Sequence, residues 1–207
     1  LIDPLFYIQF DINGIRLGLY LVLFIVFAET GLFAGFFLPG DSLLFLSGIY
    51  NRELIENVFI IESELLNVTL LATLVAIAGI LGNFVGYWFG SKSGHYLYNK
   101  QDSFWFKRKY LIQSKDFFEK HGGRAIIFAR FLPIFRTFAP IVAGIVSMDK
   151  QKFLFYNILS SIIWSFSLIF AGHYLYGFLL NNYQIDLKQH IELIVIILVV
   201  ITTLPVI

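Results

Sequence analysis

Residues Ala125 to Met148 read AIIFARFLPIFRTFAPIVAGIVSM. Apart from Arg130 and Arg136 this stretch is uncharged, and Pro133 and Pro140 interrupt it. It has the length of one bilayer crossing, about 20 residues. A straight spanning helix is nevertheless the wrong reading. Proline removes an i to i−4 hydrogen bond and its ring clashes with the preceding turn. Irregular backbone at membrane depth is tolerated only where protein or a wet cavity surrounds it. The pattern therefore predicts a broken, re-entrant hairpin over 125–148, with two arginines beside the break.

Working outward, residues 17–50 form another long apolar tract, interrupted by Glu29 and by Pro39-Gly40-Asp41. It exceeds one crossing, and the Pro-Gly pair ends a helix. We read a helix, then a second re-entrant hairpin near 34–50 with its tip at Pro39-Gly40. Asp41 or Ser42 suits an N-cap for 43–50, and Pro140 suits the first turn of a following helix. Leu65 to Gly90 is uncharged and reads as a spanning helix. Phe153 to Leu180 is uncharged save for His173 when protonated and reads as another. Residues 191–207 carry only Glu192 and read as a last helix, cut short, so both ends are taken as incomplete. Asp3 and Asp11 precede the first apolar stretch, so no cleavable signal peptide is read.

Composition agrees with a membrane chain. Of 207 residues, 58% are hydrophobic and 14% charged, against roughly 25% charged in soluble domains. Too few polar groups remain to coat a soluble surface. A net charge of +1 gives no reason to expect nucleic acid. With no cysteine, a disulfide framework and a thiolate metal site are excluded. No phosphate-binding loop or metalloprotease signature occurs, so we expect no enzyme, no metal and no cofactor.

Loop charge sets the orientation. Residues 91–124 hold eight of the fifteen basic residues, so this loop reads as cytoplasmic. Residues 51–64 hold Glu53, Glu56, Glu62 and Glu64 against Arg52 alone and read as extracytoplasmic. The fold class expected is thus all-α integral membrane: one domain over 1–207, with a first half at 15–90, a second half at 125–180 and a C-terminal helix at 191–207. Two opposed Pro/Gly-interrupted hairpins at matching places are the pattern of an inverted-repeat transporter. Assembly into a homo-oligomer stays open.

Four charges lie in apolar tracts: Glu29, Asp41, Arg130 and Arg136. Each costs from about 2.5 to more than 10 kcal/mol there. They sum to zero, so if the hairpins meet each arginine can find a carboxylate. They are either mutual structural partners or a site. The planar guanidinium fork holds phosphate or carboxylate bidentately and stays charged. Arg130 and Arg136 are therefore the candidate substrate-binding pair, with Glu29 and Asp41 the candidate proton carriers. Burial and an arginine partner act on a carboxylate's proton in opposite senses, and the residues alone leave open which wins. Gly82, Gly86, Gly90 and Gly94, with Gly79 ahead, form a stripe that reads as close helix packing or, alternatively, a ligand groove. Tyr110 to His121 reads as a surface helix, either interfacial or packed on the protein itself. His173 is either a packing residue or a proton relay.

Several of these residues fall in motifs. Phe27-Ala28-Glu29 leading to Leu38-Pro39-Gly40-Asp41-Ser42-Leu43-Leu44, Gly82-Asn83-Phe84-Val85-Gly86-Tyr87-Trp88-Phe89-Gly90, and Phe118-Glu119-Lys120-His121-Gly122 stand in order. Arg130-Phe131-Leu132-Pro133-Ile134-Phe135-Arg136, then Pro140 and Ala143-Gly144, complete the set. Together they resemble the motifs of the DedA family, also called the SNARE-associated or VTT-domain family, over roughly residues 15–180. Asp41 stands where many relatives have glutamate. The resemblance implies a multi-pass protein of the bacterial inner membrane with two opposed hairpins. It implies movement of an anionic lipid, polyprenyl phosphate or a phospholipid, coupled to protons through positions matching Glu29, Asp41, Arg130 and Arg136. The rival readings are a small-solute/proton antiporter and a non-transporting assembly scaffold.

Overall fold

The structure is a computed structural model, and it describes residues 4–12, 15–31, 40–56, 58–59, 61–99, 116, 118, 120–131, 133–189, 191 and 194. Eight α-helices carry it among these residues. They are α1 (Pro4–Ile8), α2 (Gly18–Gly31), α3 (Gly40–Ile49) and α4 (Asn51–Ile55), then α5 (Glu64–Asn99), α6 (Arg124–Arg130), α7 (Pro133–Ile145) and α8 (Lys150–Tyr183). A 3₁₀ turn follows at Leu187–Gln189.

Among the described residues two helices are long and apolar enough to cross a membrane, α5 and α8. Their 36 and 34 residues give rods of roughly 50 Å at 1.5 Å per residue, against a hydrocarbon core of about 30 Å. They run antiparallel: Glu64 lies near His173 at one end, and Asn157 donates to the Ile80 carbonyl further along. Their outward faces are apolar as well. Ile77, Leu81, Phe84 and Trp88 are exposed at helical spacing on α5, as are Phe155, Leu159 and Ile162 on α8. A helix apolar all round belongs in lipid or in a large core.

The other interior helices are short. α2, α3, α6 and α7 have 14, 10, 7 and 13 residues, hence roughly 10–21 Å each. Gly18 at the start of α2 lies by Leu54 of α4, and Gly31 at its end lies on Gly82 of α5. α3 starts where Glu29 touches Gly40 and runs alongside α8, with Gly48 against Ile169. From the opposite end of α8, Gly123 before α6 packs on Tyr156, and α6 ends with Arg130 at Gly79. α7 then returns along α5 until Gly144 meets the Tyr87 carbonyl. The larger core joins α2, α3, α4 and the adjoining halves of α5 and α8, around Val22, Leu43, Leu46, Leu71 and Trp164. A smaller one holds Tyr87, Ile126, Ala143 and Phe153.

The glycine stripe is a seam. A Cβ on Gly82 would strike Thr30 and the Phe27 carbonyl, and one on Gly90 would strike the Ile141 carbonyl. Both α2 and α7 thus approach α5 at backbone distance, as small residues permit.

Several expectations are corrected. Pro140 does not break the chain: it lies inside α7, and the helix begins at Pro133 instead. Pro133 takes the first helical position, where a missing N–H costs least. Pro140 leaves only the Arg136 carbonyl without its usual helical donor. Asp41 is in the first turn of α3 rather than before it. At its first residue α3 meets α2, with Glu29 against Gly40; the expected hairpin arm at 34–38 and Pro39 of its tip lie outside the described residues. The loop assigned to 91–124 begins later, because α5 continues to Asn99. Lysine and serine do not end a helix that has already nucleated, and no proline intervenes. Most of the surface helix at 110–121 lies outside the described residues, as does the C-terminal helix except Ile191 and Ile194. Phe118 packs against the smaller core, favouring the packed alternative. A two-residue antiparallel pairing, Asp11–Ile12 with Ile15–Arg16, interrupts the all-α expectation. The intervening Asn13-Gly14 is a strong hairpin signal.

Candidate functional site

All four charges of the apolar tracts sit at ends of short helices. Glu29 is in the last turn of α2 and Asp41 in the first turn of α3. Arg130 closes α6 and Arg136 lies in the first turn of α7. The helix dipole favours an acid at an N-terminus and a base at a C-terminus, by about 0.3–1 kcal/mol when exposed and up to about 2 when partly buried. Asp41 and Arg130 are placed with the dipole; Glu29 and Arg136 are placed against it. Those two offset the cost by pairing directly.

Glu29 is fully buried, and Arg130 and Arg136 are nearly so. One guanidinium takes both acids: Arg136 donates through Nη1 to Asp41 Oδ1 at 2.5 Å and through Nη2 to Glu29 Oε1. The expectation that each arginine would find its own carboxylate is therefore corrected. Among the described residues the Arg130 Nε, Nη1 and Nη2 have no hydrogen-bond acceptor. Arg130 instead lies over the Trp164 ring, its guanidinium carbon 4.7 Å from the centroid. Such stacking contributes about 2 kcal/mol when desolvated. The penalty for burying an ion is several kcal/mol. The stack cannot cover it, so among the described residues Arg130 keeps donors that no acceptor meets.

Glycines make the room. A Cβ at Gly79 would strike Arg130 Nη2, and one at Gly40 would strike the Glu29 carboxylate. A cavity of about 10 Å³ remains between Thr30, Asn83, Arg130, Arg136 and Ala139. That is about the space one water needs, so no larger group fits unless helices move. Asn83 donates to Asn157 Oδ1 at 2.7 Å, and among the described residues its own Oδ1 meets no donor.

Sequence reasoning missed Trp164. Its indole donates to Asp41 Oδ1 at 2.9 Å, and its ring lies 5.5 Å from the Arg136 guanidinium carbon as well. An aromatic in an apolar helix carries no signal of such a role. The Asn83–Asn157 bridge was equally hidden, since the partners lie 74 residues apart. Trp164→Phe keeps the ring beneath both guanidiniums and deletes the indole N–H. A hydrogen bond to a charged group is worth roughly 1.5–3 kcal/mol. Unfolding in detergent should show a loss of that order, and Trp164→Ala a larger one of about 3–5 kcal/mol from the cavity. An unchanged Trp164→Phe protein would mean that Asp41 does not depend on the indole.

Two comparisons with known proteins bear on this site. The VTT domain family model matches residues 38–174. The chain is 39% identical over 188 residues to Protein DedA of Escherichia coli, covering 90% of this chain and 79% of that one. It is 35% identical over 209 residues to an uncharacterized membrane protein of Mycobacterium tuberculosis, covering 99% and 84%. It is 31% identical over 161 residues to Inner membrane protein YqjA of Escherichia coli, covering 76% and 67%. No solved structure matches it.

Proposed function

The chain belongs to the DedA, or VTT-domain, family of membrane proteins, and from that premise we propose that it moves an anionic lipid across the bacterial inner membrane in exchange for protons. The supporting observation is Arg130: a buried guanidinium whose three nitrogens meet no acceptor among the described residues, beside a second arginine whose acceptors are both carboxylates. A phosphate monoester or diester supplies the missing oxygens. It also competes with Glu29 and Asp41 for Arg136, and a displaced carboxylate can take up a proton. The lipid tail stays in hydrocarbon while the headgroup passes the arginines. No bond is made or broken, so no enzymatic step and no cofactor enters.

On this reading α2–α3 and α6–α7 are re-entrant hairpins entering from opposite faces. The support is their length, each arm falling short of a 30 Å core, and the meeting of their charged ends at Arg136. The Glu64–His173 end is extracytoplasmic and the Lys92 end cytoplasmic, from the loop charges. The cysteine-free chain permits a direct check. Glu62→Cys should react with an impermeant maleimide from the periplasmic side only, and Lys92→Cys from the cytoplasmic side only. Labelling of both from one side would remove the opposed arrangement.

The decisive assay is the purified protein in liposomes holding a labelled polyprenyl phosphate or phospholipid, with and without a pH gradient. Gradient-dependent flipping of one lipid is the expected result. A small-solute/proton antiporter could use the same four charges, with a cavity sealed from lipid. That reading predicts proton flux driven by a soluble anion with no lipid movement. A non-transporting scaffold predicts neither.

A further inference from the structure

Away from the charge cluster, the largest cavity among those described opens at the other end of α3. It holds about 690 Å³ and is lined by Tyr50, Arg52, Glu53, Glu64, His173 and Lys188, among others. His173 belongs to α8, and its side chain is 14% exposed to this vestibule. Its Nδ1 lies 3.1 Å from Asn51 Nδ2. The same Asn51 nitrogen donates to the Gly48 carbonyl at 2.7 Å. That second bond fixes which way the amide points, because a flip would set Asn51 Oδ1 against the Gly48 oxygen. The Asn51 amide therefore donates to His173, and His173 Nδ1 must offer a lone pair.

We infer that this hydrogen bond is a proton-operated latch, closed while His173 is neutral and opened when its Nδ1 takes a proton from the vestibule. The proton would turn an acceptor into a second donor facing Asn51. On the opposite side His173 Nε2 lies 4.0 Å from Glu64 Oε1, so the new positive charge is drawn toward α5. The other charged groups facing the vestibule are already matched. Arg52 is bonded to Glu56 at 2.5 Å, and Lys188 to Glu53 at 2.9 Å. The ammonium of Lys188 also sits 4.3 Å from the Tyr50 ring. Tyr174 and Tyr176 line the same cavity from α8 itself. Histidine changes charge between pH 5 and 8 as no other unperturbed side chain does.

The latch holds one end of a rigid rod. Asn51 caps the last turn of α3 through Gly48, and Gly48 touches the backbone of Ile169 and His173. The far end of α3 carries Asp41, bonded to Arg136 and Trp164. Opening at His173 frees the outer end of the helix that holds one of the two acids. This inference rests on the proposed orientation and on the role given to Asp41.

Hydrogen exchange in lipid nanodiscs tests it, with rates corrected for the intrinsic effect of pH. In the wild-type protein, amides over 49–56 should exchange roughly three- to tenfold faster at pH 5 than at pH 8, the worth of one hydrogen bond. His173→Gln offers Asn51 a carbonyl acceptor that does not titrate, and should show no such change. An acid response that survives in His173→Gln, or its absence from the wild type, overturns the latch. The readout needs no transport. A protein that opens 49–56 with acid but moves no lipid defeats the proposed function and leaves the latch standing.

Discussion

Arg130→Met is expected to stabilise the fold and abolish transport. Arg130 is buried beneath Trp164 with none of its guanidinium nitrogens hydrogen-bonded among the described residues. Replacing buried charge with an apolar side chain of similar volume stabilises proteins by about 1–4 kcal/mol. Methionine adapts its shape to such a space and keeps an S–aromatic contact with the indole. Thermal unfolding in detergent should therefore shift upward while lipid flipping in liposomes falls to background. Arg130→Lys keeps the charge without the planar fork and should be folded but inactive. A destabilised Arg130→Met protein would mean that Arg130 has a structural partner and is not held ready for an anion.

The same change six residues on should act in the opposite direction. Arg136 is the hydrogen-bond partner of both Glu29 and Asp41. Arg136→Met leaves two carboxylates without their cation, and breaking a buried pair by removing one partner costs about 3–5 kcal/mol. Adding Glu29→Gln and Asp41→Asn removes the orphaned charge and should recover most of that loss. The single variant, the double acid variant and the triple form a cycle read by unfolding free energy. Additive losses with no recovery would show that the three side chains do not act as a unit. The double acid variant alone is informative too. It mimics the protonated state, so it should fold, bind lipid and lose its response to a pH gradient.

The four charges were legible in the sequence because an ion in an apolar tract is expensive wherever it occurs. Their division of labour was not. Arg130 and Arg136 carry the same side chain in the same motif, and only the fold shows that one takes both acids while the other takes none. α5 and α8 were legible for a similar reason: each is an uncharged run longer than the bilayer requires. Boundaries were less so. Pro140 looked like a start signal, yet the helix begins at Pro133, since either proline satisfies the local rule and tertiary packing chooses. Trp164, Asn83 and Asn157 were invisible, because their roles come from partners far away in the chain. Gly82 and Gly90 were read correctly as packing positions, but not Gly48 and Gly172. Those two let α3 and α8 touch across a single crossing and so leave no periodic pattern.

The glycine seam along α5 has a kinetic side. Helices joined by interlocked side chains must lift apart before they can shift, because each knob has to leave its hole. α7 meets α5 through main chain, with Gly90 against the Ile141 carbonyl and Gly144 against the Tyr87 carbonyl. Surfaces that smooth favour a short glide along the axis, the shear mode of small sliding between packed helices. α5 is then a rail. A glide of α7 along it would carry Arg136 and leave Arg130 with α6 on the other side of the break.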